Sequence, residues 1–218
     1  MYRSQMRAIL LGFAFLTATT VLAQSKEPPL KNEIGLVIGA TEVPSIGRAA
    51  GGTIDLNSSL ALGVEYDRRL LGKNTSLYVG GDFLASPEDV KVSNPASDVS
   101  PEYAYLFLSS HIKLKFNSTR TFQPWLSFGG GYADFAPAAP ASGVIVKGKG
   151  NSGTLEFGGG LDTRPLITFK GIPLLGNLPI GARVEVRDFY SGQPQYGVAT
   201  SGNLQNNVAF TGGFLLRF

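Results

Sequence analysis

Eight stretches of this chain alternate apolar and polar residues with a period of two, and each is longer than an ordinary strand. Residues i, i+2 and i+4 of a β-strand share a face, so every stretch predicts a strand with one apolar and one polar side. Glu33–Thr41 sets Ile34, Leu36, Ile38 and Ala40 against Glu33, Gly35, Val37 and Gly39. Ser59–Arg68 sets Leu60, Leu62, Val64 and Tyr66 against Ala61, Gly63, Glu65 and Asp67. Ser76–Leu84, Tyr105–Phe116, Phe122–Asp134, Thr154–Arg164, Ile180–Phe189 and Val208–Phe218 follow the same rule. The runs are about 9 to 13 residues long, where strands average about 5 to 6 and a tilted strand crosses a bilayer in about 9 to 11. No segment after the N-terminal region sustains the i, i+3, i+4, i+7 spacing of an amphipathic helix.

The orientation of the faces follows from cost. If the Ile180–Phe189 strand turned its polar face to hydrocarbon, Arg183 and Arg187 would each cost roughly 2 to 4 kcal/mol near the midplane, with Glu185 adding to it. The apolar faces therefore point outward. The interior then receives Glu33, Glu65, Asp67, Asp82, Glu156, Asp162 and Glu185 against Lys113, Lys115, Arg164, Arg183, Arg187 and Arg217. Eight strands enclose a space that side chains can fill, so these residues are candidate interior ion pairs. Gly63, Gly80, Gly129, Gly131, Gly158, Gly160 and Gly213 share their faces and leave room for them.

Composition agrees with an exterior that avoids water. Charged residues make up 16% of the chain and 28 of the 218 residues are glycine, whereas globular domains carry about 25% charged residues and about 7% glycine. There is no cysteine, which excludes a disulfide scaffold, a thiol enzyme, a zinc–cysteine site and a cysteine-linked lipid anchor. Arg3 and Arg7, the apolar run Ala8–Thr20 and the small residue Ala23 have the layout of a secretory signal peptide over residues 1–23. That leaves 24–218 as a single barrel domain and lowers the formal charge from +3 to +1. With the basic excess gone, nucleic acid is not expected as a partner.

The connectors alternate in length. Glu42–Ser58, Ala85–Ala104, Phe135–Gly153 and Tyr190–Asn207 are long, while Arg69–Thr75 and Asn117–Thr121 are short. Short periplasmic turns and longer outer loops produce this pattern in transmembrane barrels. Pro165–Pro179 is intermediate and apolar, and either dips into the interface or extends its flanking strands. Tyr66, Phe116, Phe122 and Phe218 fall at the inferred periplasmic strand ends, and Phe83 and Tyr132 at the outer ends, as interfacial girdles do. The loops 135–153 and 190–207, rich in Pro, Ala, Ser and Gly, are expected to be mobile.

Four segments carry a family resemblance: Pro124–Ala133, Thr154–Asp162, Arg183–Asp188 and the ending Thr211–Phe218. In these the sequence resembles the small eight-stranded outer-membrane barrels, the group of the OmpA-like transmembrane domain and the OmpX, OmpW and opacity-type proteins. The resemblance implies an all-β, antiparallel, up-and-down transmembrane barrel located in the outer membrane. It also implies contact with lipid bilayer and lipopolysaccharide, and assembly through a C-terminal signal made here by Thr211, Gly213, Leu216 and Phe218. Leu216 stands where an aromatic residue is more usual. Because the chain stops at Phe218, no peptidoglycan-binding domain is expected to follow.

Some barrels of this group modify lipid A acyl chains, which directs attention to His111, the sole histidine, and to Ser109 on the same face. A nucleophile and its base need substrate access, and an interior mid-strand position offers none without an opening between strands. The two glycine triplets, at 129–131 and 158–160, lack the Lys and Ser/Thr of a phosphate loop. Glu88, Asp89, Asp98 and Glu102 opposite Lys91 make one loop acidic, with at most weak cation binding. Neither a cofactor nor a resident metal is expected. The sequence reads as a structural or surface-interaction barrel without catalysis. The alternatives are a narrow conduit for small hydrophobic solutes and a lipid A acyl-modifying enzyme. An external ligand at the loops is possible on this reading, its identity unspecified.

Overall fold

The computed structural model describes residues 31–72, 75–93, 95–116, 121–142, 150–172 and 176–218. The signal-peptide expectation for residues 1–23 lies outside them. Eight long strands form the body: β1 (Asn32–Glu42), β2 (Ser59–Leu71), β3 (Thr75–Ala85), β4 (Glu102–Phe116), β5 (Phe122–Pro137), β6 (Asn151–Thr163), β7 (Gly176–Gly192) and β8 (Val208–Arg217). Each pairs antiparallel with its sequence neighbours, and β8 returns to β1 with Glu33 opposite Arg217 and Thr41 opposite Ala209. The sheet is therefore closed, which removes the unpaired edges that an open sheet leaves exposed.

The alternation of the sequence becomes the two sides of the wall. Ile38, Leu126, Val184 and Phe214 are between 55% and 65% exposed on the outside. The residues between them, such as Val37, Trp125, Arg183 and Leu215, are buried inside. An apolar belt of this extent is far beyond the few hundred Å² that soluble monomers expose, and its sense, apolar outward and polar inward, is that of a membrane-spanning barrel.

The two ends differ. At the end that holds the first and last described residues, the links are short, except that Ile167–Ile172 pairs with the start of β7 as a hairpin. The segment Pro165–Pro179 thus extends its flanking strands; its residues 173–175 lie outside the described ones. At the opposite end three strands outrun the expected ones, β4 starting at Glu102, β5 running on to Pro137 and β7 to Gly192. The added length carries them into a folded layer of loops.

The described parts of the long loops join one another in that layer. Short strand pairs and bridges join them: Ile46–Gly47 with Thr53–Ile54, Leu56 with Val92, and Arg48 with Thr200. Arg48 also donates to Asp98 at 2.9 Å, and the Ser100 amide donates to the Tyr196 carbonyl at 2.7 Å. Val43, Ile46, Ile54, Val90, Val92, Val99 and Tyr196 are buried in one cluster with the strand residues beneath them. Apolar burial of several side chains offsets the entropy of ordering loops that polar composition alone would leave free.

Candidate functional site

The interior is the chemically richest part of the molecule, and its register explains how it assembles. Arg183 on β7 lies directly opposite Asp162 on β6, and its Nε and Nη2 donate to the two Asp162 oxygens at 2.7 and 2.9 Å. The remaining Arg183 nitrogen, Nη1, crosses the lumen to Glu65 of β2. Arg187, one interior layer beyond Glu185, forks onto that carboxylate with Nε and Nη2, both at 3.1 Å. Its Nη1 donates to Glu156 at 2.8 Å and also reaches Asp82. Two arginines from one strand thereby tie β7 to β2, β3 and β6.

The lysines of β4 close the other half. Lys113 Nζ donates to Asp67 at 2.5 Å and contacts Glu65, while Lys115 Nζ lies 2.6 Å from Asp162 and also meets Glu33. Arg217 donates from Nε to Glu33 at 3.1 Å and from Nη2 to the Thr163 carbonyl at 2.8 Å. Isolated charges in such a space would cost several kcal/mol each, and shared, hydrogen-bonded pairs are the arrangement that offsets this.

Arg164, expected among these residues, stands apart from them. Strand β6 ends at Thr163, and Arg164 is exposed just beyond it, its amide bonded to the Thr121 carbonyl. The alternation that put it inside stops where the strand bends toward the hairpin.

His111 and Ser109 occupy the middle of the interior. His111 Nε2 is 2.9 Å from Asp67, and its Nδ1 is 3.7 Å from Glu156 and 4.0 Å from Asp82. The Ser109 hydroxyl is engaged with Asp82 and Glu156, not with the imidazole. Two groups, Glu65–Asp67–His111 and Asp82–His111–Glu156, have the composition of metal ligands. Their carboxylates already receive Lys113, Arg183 and Arg187, so cation heads fill the role a metal would take. The acidic loop is likewise spread out: Asp98 pairs with Arg48, and Glu102 lies opposite Lys91.

Trp125 lies inside, on the face where the alternation of Phe122–Asp134 puts it with Ser127 and Gly129, and it meets the charges there. It is buried on β5, donates from Nε1 to Asp162 at 3.1 Å, and has Lys113 Nζ 4.4 Å and the Arg183 guanidinium 5.1 Å from its rings. Cations over an indole face gain electrostatic attraction. A Cβ at Gly160 would meet this ring at 2.7 Å, so that glycine makes room for an aromatic ring and not for an arginine. Gly80 serves the charged group as expected, since a Cβ there would meet Asp67 at 2.5 Å and His111 at 2.9 Å.

Toward the loop end the interior turns aromatic. Phe107 and Phe189 stack with centroids 4.6 Å apart and planes 12° from parallel, and Phe135 meets Phe107 edge-on at 5.8 Å. Tyr103 continues the column to Tyr196 of the last long loop, at 5.9 Å. Burial pushes the Tyr196 hydroxyl well above its ordinary pKa, and it donates to Gln205 at 3.0 Å. Beside Val37, Leu84 and Phe189 there is a cavity of about 10 Å³, room for one water at most. On the outer surface, residues Gln193–Asn203 curl around an open cleft of about 430 Å³.

No family model matches the sequence, and no curated protein matches it. Solved structures do. Neisserial surface protein A is 8% identical, with 86% of this chain and 97% of that one aligned and a TM-score of 0.46. The outer membrane protein OprG from Pseudomonas aeruginosa is 13% identical over 87% and 96%, with a TM-score of 0.45. The outer membrane enzyme PagL is 12% identical over 84% and 97%, with a TM-score of 0.41.

At the C-terminal strand, Thr211 is buried and donates to Glu185 at 2.9 Å, and a Cβ at Gly213 would strike the Leu36 carbonyl oxygen at 1.9 Å. These two positions of the expected assembly signal thus have structural duties inside the finished wall. Leu216 faces outward opposite Ile34 and Ile180.

Proposed function

We propose that the protein is an outer-membrane barrel, exported by residues 1–23, that serves as a structural and surface-interaction element through its folded loop cap, neither conducting nor catalysing. The observation that carries this reading is the filled lumen: an ion-paired layer joined by Arg183 and Arg187, roofed by the Phe107–Phe189 stack. A conduit needs a continuous path, and a lipid-modifying site needs a nucleophile that meets lipid. Ser109 and His111 are 5% and 3% exposed and engaged with interior carboxylates, which favours a structural role for both. The acyl-modifying and conduit readings are therefore the weaker ones.

On this reading the loop layer faces outward, the cleft at Gln193–Asn203 is the place for an external ligand, and lipopolysaccharide surrounds the outer belt. The last strand, with Thr211, Gly213, Leu216 and Phe218, engages the assembly machinery before the wall closes. Planar-bilayer recording of the refolded protein tests the proposal, with no stable unitary conductance expected. Lipid A mass spectra from cells with and without the protein are expected to coincide. Regular channels would overturn the closed-lumen reading, and a changed acylation pattern would overturn the non-catalytic one.

A further inference from the structure

Among the described residues, the exposed charges of the barrel are sorted by end. The end with the hairpin carries Lys31, Arg68, Arg69, Arg164 and Lys170, all at least partly exposed, and among the described residues there it exposes no acidic side chain. Glu33, Asp67 and Asp162, which lie nearby in sequence, are buried in the lumen. Among the described residues the loop end has the opposite balance, with Glu42, Asp55, Glu88 and Asp89 exposed against Lys91 and Arg48.

The hairpin adds an apolar element to the basic end. Ile167 lies opposite Ile180, and Phe169 opposite Leu178. Because Ile180 shares its face with Val184 and Val186, these four residues continue the lipid-facing belt past the rim. Ile167 and Phe169 are 59% and 52% exposed, and Lys170 is the next residue. Arg68 repeats the arrangement on β2, standing in the outward column between Tyr66 and the exposed Leu70. An apolar side chain beside a base whose stem lies along it is how a protein meets the boundary between acyl chains and headgroups.

We infer that this end is a docking surface for anionic phospholipid headgroups of the adjoining leaflet, with the outward face of the hairpin seated among the acyl chains. The inference rests on the membrane reading of the barrel. The two arguments for the occupant are charge complementarity and continuity with the apolar belt.

The test uses the full chain refolded in nanodiscs, with a Phe169→Trp substitution as reporter above the constant signal of the lumenal Trp125. Folding is checked first by the mobility difference between unboiled and boiled samples. Brominated phosphatidylglycerol is expected to quench the reporter about fivefold more strongly than brominated phosphatidylcholine at equal mole fraction, the enrichment of one base attracting one anionic headgroup. In the combined Lys31→Gln, Arg68→Gln, Arg69→Gln, Arg164→Gln, Lys170→Gln variant the preference for the anionic lipid should be lost, whereas Arg48→Gln with Lys91→Gln at the loop end should leave it intact. Equal quenching by both lipids in the parent, or no quenching by either, would overturn the inference while the barrel stays folded. A chain that never enters the nanodisc would instead remove the membrane reading and the inference with it.

Discussion

Arg183 and Asp162 face each other across neighbouring strands and meet through two parallel hydrogen bonds, 2.7 and 2.9 Å long. Both are buried, so the pair is sensitive to loss of one partner and tolerant of loss of both. Arg183→Met leaves the Asp162 and Glu65 carboxylates without their shared cation and is expected to destabilise the barrel by about 3 to 5 kcal/mol. Replacing both residues, as Arg183→Met with Asp162→Leu, should cost less than the sum of the single changes. Urea titration of the refolded protein, followed by gel mobility, measures the cycle.

The roof of the lumen makes a different prediction. Phe189→Ala removes half of the stack with Phe107 and should cost about 3 to 5 kcal/mol, as large-to-small core changes do. Conductance should nevertheless stay at baseline, because Arg187, Glu185 and Glu156 still span the space beneath. A variant that conducts would show the aromatic roof to be the only seal.

Gly160 is set by its neighbour. A Cβ there would lie 2.7 Å from the Trp125 ring and 2.5 Å from the Val184 carbonyl oxygen. Gly160→Ala is expected to cost about 1 to 3 kcal/mol through overpacking. Adding Trp125→Leu relieves the ring contact alone, so the double variant should recover part of the loss. Full recovery would mean that the carbonyl contact is not limiting.

The wall itself can be tested by neighbours of opposite facing. Val184 is 57% exposed on the belt, next to the buried Arg183. Val184→Arg should destabilise the barrel by roughly 2 to 4 kcal/mol in a bilayer and much less in a short-chain detergent that reshapes around the charge. Equal penalties in both media would place Val184 away from hydrocarbon.

In the loop layer, the Arg48–Asp98 contact is half exposed on its acidic side, and such pairs are worth about 0 to 1 kcal/mol. Arg48→Ala should therefore leave global stability nearly unchanged. It should speed protease cleavage near residues 48 and 98, since the contact joins two loops. Unchanged cleavage would assign the loop order to the apolar cluster alone.

The eight strands and the sense of their faces were legible because a period of two has a single structural meaning, and because Arg183 and Arg187 cannot face hydrocarbon cheaply. The membership of the ion-paired interior followed from the same parity, and Arg164 departs from it because the strand ends one residue earlier. The aromatic roof was not read, although Phe107, Phe135 and Phe189 share parity with His111, Trp125 and Arg187. The folded loop layer had no local signature at all. Val43, Ile54, Val99 and Tyr196 are isolated apolar residues in polar, proline-containing segments, and only the finished barrel brings them together. The hairpin at Ile167–Ile172 lay between two readings, and backbone pairing with the start of β7 chose the extended one.

The stack of Phe107 on Phe189 closes the interior toward the loops, and Lys115, Glu33, Asp162 and Arg217 close it with paired charges toward the opposite mouth. His111 and its carboxylates, none more than 4% exposed, are shut off from both sides. In a cell the charged heart of the wall would answer to openings of the wall itself and not to the medium on either face.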